Sequence, residues 1–179
     1  MKIKSLGVLT ALSIMAVVAN ANAGLYVGGT YGMGGYTLFA EDEDISKSVQ
    51  SYGGILGFDI SLFRIEGEYS YLDSDDYSMN TGFLNAYVKV PIPVVKPYIG
   101  AGVGYMFDSK YEPAKDLSVD IDDTMAYQGM LGITLDLPII PFDIDVEGRA
   151  LYVPDMIEVA GKESDYVQYE GRVKLRYVF

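Results

Sequence analysis

The chain has 179 residues and a net charge of −12, with no Cys and no His. This length favours a single domain, and the acidity argues against nucleic-acid binding, which needs a basic surface. The absence of Cys excludes disulfides and thiol nucleophiles, and the absence of His excludes the commonest general base and metal ligand. Half of the residues are hydrophobic, and the 20 Gly and 16 Tyr favour strands over helices.

Residues 1–23 predict a secretory signal peptide. Lys2 and Lys4 precede an apolar run at residues 6–18, which is shorter than the roughly 20 residues of a membrane-spanning helix. Small residues at 19–23 then provide the A-x-A cleavage pattern. We favour cleavage after Ala23, with a second frame at Ala19 and Ala21 and an uncleaved anchor as the alternative. Cleavage would leave one domain, residues 24–179, with a net charge of −14.

Eight segments then alternate between apolar and other residues with a period of two, which is typical of half-buried β-strands. The clearest places Phe63, Ile65 and Gly67 on one face and Arg64 and Glu66 on the other. The eight segments are residues 25–33, 52–60, 63–71, 84–90, 99–107, 127–134, 143–150 and 167–179.

The connections between these segments alternate strictly in length. Short turns are predicted at Ser61, residues 91–96 and residues 136–141. Longer polar loops are predicted at residues 39–47, 73–80, 108–123 and 153–165. This order predicts an all-β, eight-stranded antiparallel up-and-down barrel, with long loops at one end and short turns at the other. Transmembrane barrels of outer membranes have this arrangement.

One face of the predicted barrel is apolar throughout and the other is heavily charged. Length alone does not decide which face is outside. The signal peptide, strands near the 9–11 residues of a membrane crossing and aromatic residues near both strand ends favour an apolar outer face. The predicted loop-side aromatics are Tyr69, Tyr71, Tyr105, Phe107 and Tyr152, and the turn-side aromatics are Phe58, Phe63, Tyr98, Phe142, Tyr177 and Phe179.

An apolar outer face would leave the charged residues in the lumen. The predicted network is Arg64, Glu66, Glu68, Lys89, Asp145, Glu147, Arg149, Glu170, Arg172, Lys174 and Arg176. An eight-stranded barrel has room only for side chains, so these charges must pair. The four long loops carry 17 acidic and 4 basic residues, whereas the strands and turns carry 8 and 7. We therefore predict a salt-bridged plug, with the excess acidity displayed on the loops.

The sequence resembles the small outer-membrane β-barrels of the OmpA/OmpX-like superfamily. Residues 96–107, KPYIGAGVGYMF, look like the family's fifth strand, and the C-terminal RYVF, with Tyr177 and Phe179, resembles the signal that the barrel-assembly machinery reads. The resemblance covers the whole mature chain and implies a Gram-negative-type outer membrane. It does not imply one function, because members include structural proteins, adhesins, channels and enzymes. Because the last predicted strand runs to residue 179, we expect no peptidoglycan-binding domain of the OmpA type.

Catalytic and metal-binding alternatives are weaker. Outer-membrane enzymes of the kinds that the resemblance suggests use His as a base, so we predict no enzyme activity and no cofactor. The acid pairs Glu66/Glu68 and Asp145/Glu147 have bases available to balance them. Weak candidates for a divalent cation are Glu41, Asp42, Glu43, Asp44, Asp120, Asp122 and Asp123, but their spacing does not match a calcium loop. The glycines of residues 99–104 lack the Lys-Ser/Thr of a phosphate loop and predict small side chains beside a crowded lumen.

The leading functional hypothesis is therefore a monomeric structural or surface-interaction barrel with a closed lumen. Its expected partners are outer-membrane lipids and lipopolysaccharide, and the assembly machinery and periplasmic chaperones during biogenesis. A narrow channel for small solutes is the alternative, and a soluble periplasmic barrel that holds a ligand is a third.

Overall fold

The computed structural model describes the backbone of residues 23–40, 43–74, 77–114, 117–121, 124–137, 139–159 and 162–179. Side chains are described at residues 24–36, 48–74, 78–107, 124–137, 139–154 and 166–179. The predicted signal peptide, apart from Ala23, lies outside these ranges. Among the described residues, no helix is long and apolar enough to cross a membrane.

The described backbone forms nine strands. They are β1 (Ala23–Ala40), β2 (Glu43–Ile60), β3 (Phe63–Asp73), β4 (Tyr77–Lys89), β5 (Val95–Ala114), β6 (Leu117–Ile121), β7 (Thr124–Asp136), β8 (Phe142–Val159) and β9 (Lys162–Val178). Eight of these nine close a ring of antiparallel pairs, in which β4 pairs with β5, β5 with β7, and β9 returns to β1. The predicted eight-stranded up-and-down barrel is confirmed, and β6 forms a hairpin with β5 beside it.

The predicted long loops are largely extended hairpins, so the sequence interpretation of their conformation is wrong. Strands β1 and β2 stay paired to Ala40 and Glu43, and β8 and β9 stay paired to Val159 and Lys162. Once the barrel sets the register, backbone pairing can continue beyond it without a buried face. The alternation pattern that marks a half-buried strand is then no longer required.

The side chains alternate between the outside and the lumen as the sequence predicts. On β3, Phe63, Ile65 and Tyr69 are exposed, whereas Arg64 and Glu66 are buried. The outward positions of the other barrel strands are apolar too, for example Leu84, Ile99, Leu131 and Val173. Because the pleat alternates faces with a period of two, the charged set and the apolar set are separated by the sheet itself.

Tyr98 is a correction to the predicted ring of turn-side aromatics. Its side chain is buried in the lumen, where its hydroxyl donates a hydrogen bond to Glu147 at 3.0 Å. Tyr98 lies on the same face of β5 as Gly100, and this face points into the lumen. Its position along the barrel axis nevertheless matches that of the turn-side aromatic residues. Phe63, Phe142 and Tyr177 do face outward at this end.

Candidate functional site

The candidate site is the barrel lumen. Strand β3 contributes Arg64, Glu66 and Glu68, β8 contributes three residues, β9 contributes four and β4 contributes one. All eleven residues predicted for the lumen have at most 5% of their surface exposed: Arg64, Glu66, Glu68, Lys89, Asp145, Glu147, Arg149, Glu170, Arg172, Lys174 and Arg176.

Arg172 lies at the centre of the first group of charges. Its Nη2 atom is 2.6 Å from Glu68 Oε1 and its Nε atom is 3.2 Å from Glu170 Oε1. Nη1 lies 3.5 Å from Glu147 Oε1, and Nη2 also donates to the hydroxyl of Thr30 at 2.8 Å. Arg172 thus joins carboxylates from β3, β8 and β9 across the lumen.

Arg149 supports the same group from β8. Its Nε atom lies 2.9 Å from Glu170 Oε1, and its Nη1 atom lies 3.4 Å from Glu68 Oε1. Nη1 also donates to Gln128 Oε1 at 3.2 Å. Nη2 of Arg149 is buried without a hydrogen-bond partner among the described residues, so this cation is held by charge more than by directed hydrogen bonds.

Lys174 forms a second group with two carboxylates. Its Nζ atom lies 2.9 Å from Glu66 Oε1 and 3.0 Å from Glu147 Oε2. Glu66 also accepts hydrogen bonds from the hydroxyls of Tyr26 and Tyr87, each at 2.8 Å. Lys174 therefore sits among carboxylates and hydroxyls that compensate its charge inside the lumen.

Asp145 connects two guanidinium groups nearer the turns. Its carboxylate lies 2.7 Å from Arg64 Nη1 and 2.9 Å from Arg176 Nε. Thr134 donates its hydroxyl to Asp145 at 2.6 Å and accepts from Arg64 Nη2 at 2.8 Å. The Arg64 guanidinium also lies 4.9 Å from the ring centre of Tyr98, within reach of a cation–π contact.

The network extends to the turn-side mouth through residues that the sequence analysis missed. Asp59 forms ion pairs with Lys89 and with Arg176, the latter at 3.4 Å, and Asp143 lies 3.0 Å from Arg176. Lys96 pairs with Asp136 at the rim. With these pairs included, each of the 8 acidic and 7 basic residues of the predicted strands and turns takes part in an ion pair.

Uncharged polar side chains complete the network, and these were also missed. Gln128 donates to Asn85 Oδ1 at 2.7 Å, and Asn85 donates to Glu68 Oε2 at 3.0 Å. Gln168 donates to Glu170 Oε2 at 2.9 Å. The alternation of the strands shows that these residues face inward, but it does not show which carboxylate each neutral side chain contacts.

A second, apolar region fills the loop-side part of the lumen. It is a cluster of ten buried residues among those with described side chains, and every barrel strand contributes at least one. Its members are Tyr36, Val49, Leu72, Met79, Phe83, Met106, Ala126, Leu151, Val153 and Tyr166. The alternation pattern predicts a charged lumen and does not separate this apolar region. A sequence signal for the apolar region exists: the inward positions carry no charge beyond Glu68 on β3 and beyond Arg149 on β8.

The glycines of β5 make room for these side chains, as predicted. A Cβ atom at Gly100 would lie 2.3 Å from the ring of Tyr87, and one at Gly102 would lie 2.0 Å from Asn85 Oδ1. Both distances are far below van der Waals contact. Side chains on β4 therefore occupy the space that larger residues on β5 would fill.

The weak metal candidates contribute no described geometry. Glu41, Asp42, Asp122 and Asp123 lie outside the described residues. Glu43, Asp44 and Asp120 lie on described backbone, but their side chains are not described. Within the described part of the chain, no group of three or more acidic residues is arranged to hold a metal ion.

The residues predicted for the assembly signal lie at the end of the closing strand. Tyr177 and Phe179 face outward, with their ring centres 5.0 Å apart, and the ring of Phe142 lies 5.3 Å from that of Tyr177. The backbone N–H of Phe179 donates to the carbonyl of Leu25 on β1 at 2.8 Å. The aromatic cluster thus lies at the seam between the first and last strands.

A closed antiparallel barrel with an apolar exterior and a charged interior defines a transmembrane β-barrel protein. The family model described as "outer membrane protein beta-barrel domain" matches residues 5–153. The chain belongs to this family, and its location is the outer membrane.

Solved structures show the same fold at low sequence identity. Neisserial surface protein A (NspA) aligns with a TM-score of 0.66 at 17% identity, covering 88% of this chain and 99% of that one. The attachment invasion locus protein Ail of Yersinia pestis aligns with a TM-score of 0.50 at 10% identity, covering 85% and 98%. No curated protein matches the chain in sequence. At these identities the comparisons establish the fold alone.

Proposed function

We propose that the protein is a closed structural barrel that presents acidic hairpins at the cell surface and passes no solute through its lumen. One observation carries the proposal: the lumen is filled along its length, first by paired charges and then by the apolar cluster. Eight-stranded barrels have little interior space beyond their side chains. A solute would have to separate several buried ion pairs and also displace the cluster around Leu72 and Met79.

Planar-bilayer conductance of the refolded protein tests this proposal. We expect no discrete openings comparable to those of a general porin measured in the same bilayer. The conductance of a variant with a smaller cluster, Leu72→Ala combined with Met79→Ala, is compared with that of the unaltered protein to measure the contribution of the apolar cluster. Regular porin-sized openings in the unaltered protein would contradict the closed lumen and favour the narrow channel.

We propose further that the barrel has no catalytic activity. The acidic pairs Glu66/Glu68 and Asp145/Glu147 are buried and bound by Arg, Lys, Tyr or Thr donors. No His or Cys occurs in the sequence. Mass spectrometry of phospholipids and lipopolysaccharide incubated with the folded barrel should show no new products. A product that disappears in Glu66→Gln would contradict the proposal.

The proposed contacts follow from the charge distribution. The four predicted loops carry a net charge of −13, which favours cationic surfaces or divalent cations that bridge to lipopolysaccharide phosphates. We expect a monomer in the membrane and assembly directed by the C-terminal aromatic residues. Phe179→Ala should lower the folded fraction in the outer membrane more than Phe142→Ala, measured by gel mobility before and after heating. Equal losses would contradict a specific role for Phe179.

A further inference from the structure

The turn end of the barrel has an apolar surface that the closed-lumen function does not use. Three turns, residues 61–62, 90–94 and 137–141, contain no charged residue. Their exposed apolar side chains are Leu62, Ile92, Val94, Leu137, Ile139 and Ile140, which we call the turn-end patch. Ile139 is the most exposed of them, at 94%. In water such a surface would be unfavourable, because moving apolar side chains out of water lowers the free energy.

The patch continues the lipid-facing wall along β4 and β7, with the Lys96–Asp136 ion pair partly exposed at the rim. On β7, Leu131 and Ile133 face outward and are followed in the next turn by Leu137 and Ile139. On β4, Val88 faces outward and is followed in the next turn by Val90 and Ile92. The nearest charges at this rim, Lys96 and Lys89, are paired with Asp136 and Asp59.

Several backbone donors of these turns are absent or paired within the protein. Pro91 and Pro93 have no N–H group, and the N–H groups of Val90, Ile92 and Val95 donate to backbone carbonyls, each at 2.8 Å. In the next turn Pro141 lacks a donor and Ile140 donates to Leu137 at 3.1 Å. An unpaired backbone donor costs several kcal/mol in lipid, whereas a turn in water needs no such pairing.

The turns are tied to one another, so they form one surface. The N–H of Asp136 donates to the carbonyl of Val94, and the N–H of Lys89 donates to the carbonyl of Leu62, both at 2.8 Å. These bonds connect the second turn to the third and the second to the first.

The height of the patch places it at the edge of the membrane. Tyr152 and Phe142 lie ten residues apart on β8, which spans about 25 Å along the membrane normal at about 3.3 Å per residue and a tilt of ~40°. This is the height of the apolar band of outer-membrane barrels, which have their short turns on the periplasmic side. The turns beyond Phe142 therefore enter the lipid interface of the periplasmic leaflet.

We propose that the turn-end patch is a lipid-binding surface that anchors the barrel in the periplasmic leaflet of the outer membrane. The occupant is the phospholipid interface of that leaflet, where the acyl chains meet the headgroups, next to the wall with which the patch is continuous. Neither a periplasmic protein nor a second copy of the chain is required to cover the apolar turns.

Because the chain has no Cys, a single spin label can test the proposal. Ile139→Cys is labelled and refolded into vesicles of phosphatidylethanolamine and phosphatidylglycerol, and its collision rates with oxygen and with a water-soluble nickel chelate are compared. Leu131→Cys, on the lipid-facing wall, and Ser48→Cys, exposed at the loop end, are the matched references. The oxygen-to-nickel ratio at 139 should be several-fold above that at 48 and below that at 131, which lies deeper in the bilayer.

Three outcomes would overturn the proposal. A ratio at 139 equal to that at 48 in protein-and-lipid vesicles would place the patch in water. Protection from nickel that appears only after a periplasmic extract is added would assign the patch to a protein partner. Protection that depends on the protein-to-lipid ratio, with spin–spin broadening, would assign it to a second copy.

A charge substitution gives an independent measurement that needs no label. Ile139→Asp should lower the folding equilibrium constant in the same vesicles about fivefold, which corresponds to about 1 kcal/mol. Ser48→Asp should leave it unchanged. Equal effects of the two substitutions would contradict a lipid contact at the turns.

Discussion

The turn-side and loop-side regions of the lumen are both filled by buried side chains, but the first is charged and the second is apolar. In the turn-side region, side chains such as Arg172 and Glu68 fill space and must also match one another in charge and direction. In the loop-side region, Leu72 and Met79 need only match in volume. A buried charge that loses its partner is penalised more than a cavity of similar size. The turn-side region should therefore be the more sensitive to single substitutions.

The largest effect is expected from Arg172→Met. The substitution keeps much of the side-chain volume but leaves Glu68, Glu147 and Glu170 with less positive charge nearby. Removing one partner of a buried ion pair costs roughly 3–5 kcal/mol. The free energy of unfolding in urea, followed by gel mobility without heating, measures this loss. Adding Glu68→Gln should recover part of it, and a loss below about 1 kcal/mol would contradict a buried network of ion pairs.

Leu72→Ala should give the next largest effect. Leu72 is fully buried in the apolar region, and truncating a buried leucine costs roughly 2–5 kcal/mol. The control is Leu131→Ala on the lipid-facing wall, where lipid can fill the space that the side chain leaves. Similar losses of unfolding free energy in the two variants would show that the loop-side region is not tightly packed.

A smaller effect is expected where the two regions meet. Gln128→Leu is close in volume but removes the hydrogen bonds to Asn85 and from Arg149. Leaving buried polar groups unpaired costs roughly 1–3 kcal/mol. Met130→Leu, at the next inward position of β7, keeps the chemistry unchanged and should cost less than about 1.5 kcal/mol. If the two variants unfold at the same urea concentration, Gln128 does not belong to the polar network.

The smallest effect is expected at the rim. Lys96 and Asp136 are both partly exposed, and exposed ion pairs contribute roughly 0–1 kcal/mol. Lys96→Met should therefore change the unfolding free energy by less than about 1 kcal/mol, and the difference should shrink further in high salt. A loss as large as that of Arg172→Met would contradict the distinction between the rim and the lumen.

The barrel could be predicted because its strands carry a strong local signal. Apolar and polar residues alternate along β3 and β9, and membrane and lumen demand opposite chemistry on the two faces of one sheet. The hairpins beyond the barrel lack that contrast, so residues such as Ala40 and Glu43 were assigned to a loop although their backbones are paired. The prediction for Tyr98 is wrong for a related reason. Its position near the strand end suggests an interfacial aromatic residue, but it lies on the inward face of the strand.

The lumen residues could be predicted as a set but not as pairs. Arg172 and Glu68 are 104 positions apart in the chain, and their contact depends on how far each strand is staggered against the next around the closed ring. The same stagger decides that Asp59 joins the network and that ten apolar side chains meet at the loop end. None of these contacts is encoded in the spacing of neighbouring residues.

The sequence is sufficient to predict the strands, their inward and outward faces, and a barrel whose 8 acids and 7 bases nearly balance. It could do so because the pleat has a period of two and each strand records its own burial locally. Three features become visible in the folded barrel: which charges pair, where the lumen changes from ionic to apolar, and how three uncharged turns form one surface. These depend on ring closure and register, which bring together side chains that are distant in the sequence.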